Sequence, residues 1–316
     1  KEMLANAGVF PVAVVNPQPE GGASNSLSFT VSEPLPTTPL EIKITFPLNG
    51  ETINKAKIIV KGTIKSDTKD LGIKVNGILA EISGNDWIAN NIPLTIGTNT
   101  ITATVTDAQG NTDTKTITVN TSDITQKVEL SANITSGIAP LTTYFSGSAS
   151  FIPVSYQMDF EGDGVIDYTD TTFKNISHTY TTEGIFYPTL TVTDDQGNSY
   201  SDTIAITVMN KTEIDALLKS KWEGMKTALR NKDVARALNY HLDEAKQLYS
   251  DIYTAFFDQL PQHAQEMHDI QLIYVKNNTA KYRLRENELY GGVIETITYY
   301  IYFVMDKDGL WKIYRY

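Results

Sequence analysis

The stretch TATVTDAQGNTDTKTITV at residues 102–119 recurs as TLTVTDDQGNSYSDTIAITV at residues 189–208. In both copies, alternating β-branched sequence surrounds a D-x-Q-G-N turn, where Gly and Asn supply the positive φ that a tight turn requires. A looser copy occupies residues 11–31. A terminal hairpin that recurs about every 90 residues predicts tandem all-β modules, each a sandwich of about seven short strands.

Composition sets the first limits on function. The chain has 316 residues, which predicts two or three domains, and no cysteine, which excludes disulfides and thiolate chemistry. Its net charge of −11 argues against nucleic acid or anionic lipid as a partner. No run of 18 apolar residues is present, so the sequence predicts no membrane insertion. The first residues read as the middle of a folded module, which predicts a piece of a longer bacterial secreted or surface protein.

The modules resemble known families. Residues 1–34, with GVFPVAVVNPQPEGGASNSLSFTV, resemble the last strands of a TIG-type immunoglobulin (Ig)-like domain. Residues 39–121, with FPLNGETI, IIVKGTI and IKVNGILAEI, are similar to the bacterial Ig-like repeats of surface and polysaccharide-processing proteins. Residues 126–209, with YQMDFEGDGVIDY and SHTYTTEGIFYPTLTVTDDQG, resemble a polycystic-kidney-disease (PKD) domain, although Met158 replaces the usual tryptophan. Short polar linkers predict that the modules follow one another end to end.

The pattern changes after Asn210. Apolar residues at helical spacing begin at Ile214, and Thr212 with Asp215 predicts a capping box. From Asp269 onward the pattern alternates as in strands. Helices followed by a meander of strands resemble the cone-shaped nuclear-transport-factor-2-like fold over residues 211–316. The predicted fold class is therefore multidomain, with tandem Ig-like sandwiches followed by an α+β domain whose helices cover an antiparallel sheet.

The segment DFEGDGVIDYTD at residues 159–170 matches the spacing of a calcium-binding loop, with a glycine at the sixth position. Strand-like flanks argue against a helix–loop–helix site. Two interpretations remain open: a calcium site that neutralises mutually repelling acids, and a bare turn whose carboxylates face water. The candidate calcium ligands are Asp159, Glu161, Asp163, Val165 through its carbonyl, Asp167 and Asp170.

The acids are concentrated around this segment. Residues 127–210 carry two lysines against ten Asp and Glu, whereas residues 211–316 carry fifteen residues of each sign. Asp107 and Asp194 recur at matching positions of the two hairpin turns, which indicates turn stabilisation by side chain to backbone hydrogen bonds.

The last domain is the place where the sequence predicts a pocket. Glu295 lies among apolar neighbours, and aromatic residues with one arginine suit a small anionic or sugar ligand. The candidate ligand-binding residues are Trp222, Tyr282, Arg283, Glu295 and Tyr302. The alternative is that these residues form only core and rim. No HExxH, GxSxG, Walker A or GxGxxG sequence occurs in a fitting context, so no catalytic site is predicted.

The sequence therefore favours a non-enzymatic extracellular or cell-surface protein that acts as a stalk, scaffold or adhesion component, with the last domain as its interaction head. Its expected partners are other surface proteins or copies of itself, and glycans. Three alternatives remain: an accessory region of a secreted polysaccharide-degrading enzyme, small-ligand binding by the last domain, and a subunit of a filament completed by strands from a neighbour.

Overall fold

The computed structural model describes residues 8–12, 21, 25, 27–31, 38–125, 127–291 and 293–316. The chain divides into two compact units, residues 1–39 and 40–316. In the first unit, β1 (Gly8–Val12) pairs antiparallel with β2 (Leu27–Val31). The remainder of the predicted TIG-type segment, on which the strand-exchange alternative depends, lies outside the described residues.

The Ig-like module begins the second unit. Its strands are β3 (Glu41–Phe46), β4 (Lys57–Lys65), β5 (Leu71–Val75), β6 (Ile78–Ser83), β7 (Asp86–Pro93), β8 (Gly97–Asp107) and β9 (Thr112–Thr121). They are linked in the order β3-β4-β7-β6-β5-β8-β9. Alternating buried residues of β4 and β8 pack around the fully buried Trp87, as half-buried strands require.

The PKD-like module follows. Its strands are β10 (Val128–Ala132), β11 (Ser136–Ile138), β12 (Leu141–Ala149), β13 (Pro153–Asp159), β14 (Tyr168–Asp170), β15 (Ile176–Tyr180), β16 (Gly184–Phe186), β17 (Thr189–Asp194), β18 (Ser199–Thr203) and β19 (Ile206–Met209). The sheet β10-β12-β15 faces the sheet β14-β13-β17-β18 across one apolar core. Met158, at the position of the expected tryptophan, is fully buried in that core.

The two repeated hairpins have matching turns. Asp107 accepts hydrogen bonds from the backbone N–H groups of Gln109 at 2.9 Å and Asn111 at 2.8 Å. Asp194 accepts the equivalent bonds at 2.9 and 2.8 Å. The glycines of both turns have positive φ, +86° and +82°. The predicted role of both aspartates in turn stabilisation is confirmed.

The last domain places helices on an antiparallel sheet. Its elements are α1 (Lys211–Arg230), α2 (Val234–Leu238), α3 (Asp243–Ala255), α4 (Leu260–Glu266), β20 (Gln271–Lys276), β21 (Thr279–Tyr290), β22 (Val293–Met305) and β23 (Trp311–Arg315). Leu218, Trp222, Met225 and Leu229 form the buried stripe of α1. The predicted capping box at Thr212 is wrong, because Asn210 is the N-cap and accepts from the N–H of Glu213.

The modules of residues 40–316 do not follow one another end to end, contrary to the prediction. Strand β11 pairs with β19 of its own module and touches β20 of the last domain at Gly137 and Lys276. One sheet therefore runs through both domains in the order β16-β19-β11-β20-β21-β22-β23. A β-carbon at Gly137 would lie 2.7 Å from the carbonyl oxygen of Val275, so this approach requires glycine.

The Ig-like module packs against both of its successors. Asn90 donates to the carbonyl of Ala205 at 3.0 Å and accepts from its N–H at 2.8 Å. Gly72 lies against the turn before β23, where an added β-carbon would be 2.2 Å from the carbonyl oxygen of Asp308. Lys74 also forms a salt bridge with Asp308 at 2.6 Å. Residues 40–316 therefore form one compact body in place of a row of separate modules.

None of the helices in the described part of the chain is long and apolar enough to cross a membrane.

Candidate functional site

The acidic loop connects β13 to β14 and is organised by its first residue. Asp159 is 6% exposed and accepts hydrogen bonds from the N–H groups of Gly162 at 2.6 Å and Gly164 at 2.8 Å. Both glycines have positive φ, +77° and +88°. Gly162 also lies against Tyr187, where a β-carbon would be 2.6 Å from the tyrosine's own β-carbon. The loop therefore folds around a carboxylate that is already bonded to backbone.

Three carboxylates of this loop converge. Oxygen atoms of Asp159, Glu161 and Asp167 all lie within 4.8 Å of one another. Asp167 also accepts from the N–H of Phe160 at 2.8 Å. Burial raises the pKa of the Glu161 carboxyl, and the neighbouring charges of Asp167 and Asp163 raise it further. We call Asp159, Glu161 and Asp167 the acidic cluster.

The other predicted ligands lie outside the acidic cluster. Asp163 accepts from the N–H of Val165 at 2.9 Å, and the Val165 side chain is exposed. Asp170 ends β14 and accepts from the N–H groups of Thr171 at 2.6 Å and Thr172 at 3.3 Å. These backbone bonds lower the pKa of Asp170. The structure thus brings three of the six predicted ligands together.

His178 borders the acidic cluster on β15. Its Nε2 lies 2.8 Å from Glu161, and its ring stacks on Phe160 with centroids 4.7 Å apart. Burial lowers the pKa of His178, while the charge of Asp167 raises it. The ring of His178 therefore packs against the sandwich. Tyr180 closes the same corner by donating to the carbonyl of Phe160 at 2.9 Å.

The five predicted pocket residues do not meet. Trp222 and Tyr282 are buried in the core, where Trp222 donates to the carbonyl of His268 and Tyr282 donates to Asp215. Arg283 and Tyr302 lie on the opposite face of the sheet, because adjacent strand residues alternate between faces. Glu295 is exposed near the start of β22, which contradicts a pocket carboxylate and agrees with the alternative.

The outer face of the last domain instead carries rows of basic and tyrosine side chains. Tyr274, Lys281, Tyr302 and Arg315 are cross-strand neighbours from β20 to β23. The next row is Gln271, Arg283 and Tyr300. We call these seven residues the basic tyrosine face. The sequence contained a signal for it, since cations alternate in KYRLR at residues 281–285 and tyrosines flank Ile301.

Cations lie over the rings of this face. The Lys281 Nζ is 3.8 Å from the ring centroid of Tyr300 and 5.3 Å from that of Tyr302, and the Arg315 guanidinium lies 4.5 Å from the Tyr302 centroid. The bond between Lys281 and Tyr302 lowers the pKa of Tyr302 and raises that of Lys281. The face is thus electropositive and ordered by its own side chains.

A groove of about 350 Å³ adjoins this face at the junction with the PKD-like module. Tyr274 and Lys276 form one wall, Pro140 and Thr142 of the PKD-like module another, and Lys211 of α1 completes it. The basic tyrosine face therefore continues into a concave, positively charged junction.

A second polar group lies under the helices and was not predicted. His241 is fully buried and lies 2.7 Å from the hydroxyl of Tyr253, which in turn lies 2.8 Å from the hydroxyl of Tyr316. Burial lowers the pKa of His241 to about 4, so the imidazole is neutral near pH 7. Tyr249 stacks on the imidazole with centroids 4.1 Å apart. These contacts give the histidine a core role.

Family models match two of the modules. A model described as glucodextranase, domain B, matches residues 40–122, and a PKD domain model matches residues 125–208. The predicted bacterial Ig-like and PKD-like modules are confirmed. The TIG-type and nuclear-transport-factor-2-like resemblances stay predictions. No curated protein matches the chain.

Solved structures give a weak likeness. Fibronectin(III)-like modules of Clostridium thermocellum CbhA are 16% identical, with 54% of this chain and 94% of that chain covered and a TM-score of 0.22. Dimeric latent PorU from Porphyromonas gingivalis is 11% identical, with 60% and 22% covered and a TM-score of 0.30. Bacteroides ovatus SGBP-B of a mixed-linkage glucan utilization locus, solved with a mixed-linkage heptasaccharide, is 16% identical, with 64% and 53% covered and a TM-score of 0.18.

Proposed function

We propose that this chain is a non-catalytic, extracellular or cell-surface region of a bacterial protein, in which Ig-like and PKD-like modules hold the last domain as a fixed interaction head. The modules themselves fit a surface role or an accessory role associated with carbohydrates. The role of the last domain as an interaction head is inferred from the contacts that hold this domain in place.

The observation that carries the proposal is the shared sheet. Strand β11 of the PKD-like module bridges β20 of the last domain at Gly137 and Lys276, and the N–H of Asn277 donates to the carbonyl of Ser136 at 2.8 Å. Rotation of the two domains against each other would break these backbone contacts. Lys74 and Gly72 of the Ig-like module fix the opposite side of the last domain at Asp308. A domain held on two sides has a fixed orientation, which suits the presentation of a binding surface.

A panel of insoluble polysaccharides, both neutral and acidic, tests this role. We expect at least one to retain the chain from solution, without release of reducing sugar during prolonged incubation. Release of sugar by the purified chain would contradict the non-catalytic role. Absence of retention on every polysaccharide would remove the association with carbohydrate and leave a protein-binding scaffold.

We further propose that the acidic cluster holds one structural calcium ion. Three converging carboxylates are hard oxygen donors of the kind that calcium prefers, and their position at the end of β13 would let the ion stiffen the loop. The oxygens of Asp159 already accept two backbone bonds, so Glu161 and Asp167 would supply most of the protein ligands and water the remainder.

The order of four helices and then four strands supports the proposal that the last domain has the nuclear-transport-factor-2-like fold. The centre of its interior is filled by Trp222, Tyr282 and Phe303, and a cavity of about 380 Å³ beside them is lined by residues that include Tyr253, Glu286 and Tyr316. None of the five predicted pocket residues lines that cavity, so it does not support the small-ligand site that was predicted. The TIG-type assignment of residues 1–34 is likewise kept as a proposal, supported by the hairpin of β1 and β2.

A further inference from the structure

We propose that the basic tyrosine face binds an anionic polysaccharide of the uronate type. The proposal rests on the proposed function, since it names the ligand of the interaction head. The row from Tyr274 to Arg315 crosses four strands, which corresponds to ~14 Å along the sheet. Tyrosine and cation alternate along that length, so an extended chain lying across the strands would meet both kinds of group in turn.

The cations of this face are not neutralised by acidic neighbours. Among the residues that the structure describes, no carboxylate lies within salt-bridge distance of Lys281, Arg283 or Arg315. Arg283 bonds only the neutral amide of Gln271, at 3.1 Å. Lys276 and Lys211 at the adjoining groove add positive charge. In a chain of net charge −11, an uncompensated basic surface indicates an anionic ligand.

The chemistry of the face distinguishes among polyanions. The seven residues of its two rows are cationic, tyrosine or amide side chains, and the aliphatic Ile273 is exposed at their edge. A nucleic acid duplex carries a charge every 1.7 Å or so, which is much denser than the three cations Lys281, Arg283 and Arg315 that this face spreads over its two rows. A uronate polymer carries at most one carboxylate per sugar, and its sugars have apolar C–H faces that can pack on tyrosine rings.

The cation–π contacts serve this ligand. Lys281 lies over the rings of Tyr300 and Tyr302, and Arg315 lies over the ring of Tyr302. Side chains already placed by the rings lose less rotational freedom when a carboxylate binds. The rings and the cations therefore act as one preorganised surface, with Arg283 in the next row as a second carboxylate partner.

The experiment measures binding of the full chain to soluble polygalacturonate by affinity electrophoresis, with dextran as the neutral polymer. We expect retardation by polygalacturonate alone, weakened about tenfold or more in the double variant Lys281→Ala with Arg283→Ala, since bonds between charged groups are among the stronger ones. The control is Lys65→Ala with Lys115→Ala, which removes the same charge at exposed positions of the Ig-like module. Thermal unfolding establishes that both double variants are folded.

The other possible outcomes would overturn the proposal. Equal weakening in the control variant would show non-specific charge attraction and overturn the proposal, as would an unaffected double variant or a wild-type chain that polygalacturonate does not retard. Self-association of the wild-type chain that disappears in the Lys281/Arg283 variant would overturn it in favour of a second copy. Retention on a neutral polysaccharide alone would overturn the ligand class and leave the proposed function standing.

Discussion

Lys221 on α1 donates a hydrogen bond to Asp70 of the Ig-like module, and the two side chains are only 6% and 19% exposed. The pair joins the last domain to the first module of the compact body. Lys219, two residues earlier on α1, forms an ion pair with Asp215 that is 45% and 26% exposed. One helix thus carries a buried pair between modules and a more exposed pair within one domain.

Substitution of Lys221 by Met leaves the carboxylate of Asp70 partly buried without its counter-ion. We expect the free energy of unfolding to fall by about 3 kcal/mol, since removal of one partner from a buried pair leaves an uncompensated charge. The matched control, Lys219→Met, changes an exposed pair and should cost less than about 1 kcal/mol. Urea denaturation of both variants makes the comparison, and equal losses would contradict the proposed contact between modules.

Glu81 makes stability depend on pH. Its Oε1 accepts from the hydroxyl of Ser136 at 2.8 Å across the boundary between the Ig-like and PKD-like modules, while its buried Oε2 has no protein partner. The residue as a whole is half-buried, but the carboxylate end is shielded from water. Burial raises the pKa of Glu81 to about 7, because the charged form loses its hydration.

A folded-state pKa above the unfolded value means that the native state binds the proton more tightly. The contribution of Glu81 to stability is therefore fully present below about pH 4.5 and declines as pH rises to about 7, by about 3 kcal/mol in total. In Glu81→Gln this decline should disappear, because the amide cannot ionise. Unfolding measured by urea at pH 5 and pH 8 checks the difference, and an identical pH dependence in both proteins would refute the assignment.

The turn aspartates give a local test. Asp194→Ala removes bonds to the N–H groups of Gln196 and Asn198, and we expect the melting temperature to fall. Asp195→Ala is the matched control, since Asp195 is exposed in the same turn and bonds only the side chain of Gln196. Thermal unfolding of the two variants should differ accordingly, and an equally large effect of Asp195→Ala would count against turn stabilisation.

Calcium at the acidic cluster should stabilise the protein by mass action. At a concentration one hundred times its dissociation constant, the ion would add about 2.7 kcal/mol to the free energy of unfolding. Asp167→Asn should abolish the increase, whereas Asp170→Asn should leave it, because Asp170 lies outside the cluster. Thermal scans with calcium and with chelator make the measurement, and unchanged unfolding of the wild-type chain would reject the site.

Local features were predictable from the sequence because their causes are local. Asp107 and Asp194 bond atoms within four residues, so the D-x-Q-G-N pattern contains the whole interaction. The acidic cluster was predictable only in part, because pairing of β14 with β13 carries Asp170 into the ladder and away from Glu161. A sequence motif does not show which strands pair with each other.

The prediction of a pocket was wrong for a reason that can be read from the sequence. Tyr282 and Arg283 are consecutive in a strand, so they point to opposite faces and cannot line one cavity. The packing of the modules had no such signal. Asp70 and Lys221 are far apart in the chain, and neither has a neighbouring pattern that names its partner. The modules could therefore be predicted from the sequence, whereas their packing into one compact body could be seen only in the structure.

The orientation of the last domain is the central claim, and the absence of cysteine permits a direct test. Cysteines introduced for spin labels at exposed Lys65, Lys174 and Glu244 would mark the three modules of residues 40–316. Pairwise electron–electron distances between labels at 65 and 244, and at 174 and 244, should each give one narrow distribution. Broad distributions extending to the long distances of modules joined end to end would contradict a fixed interaction head.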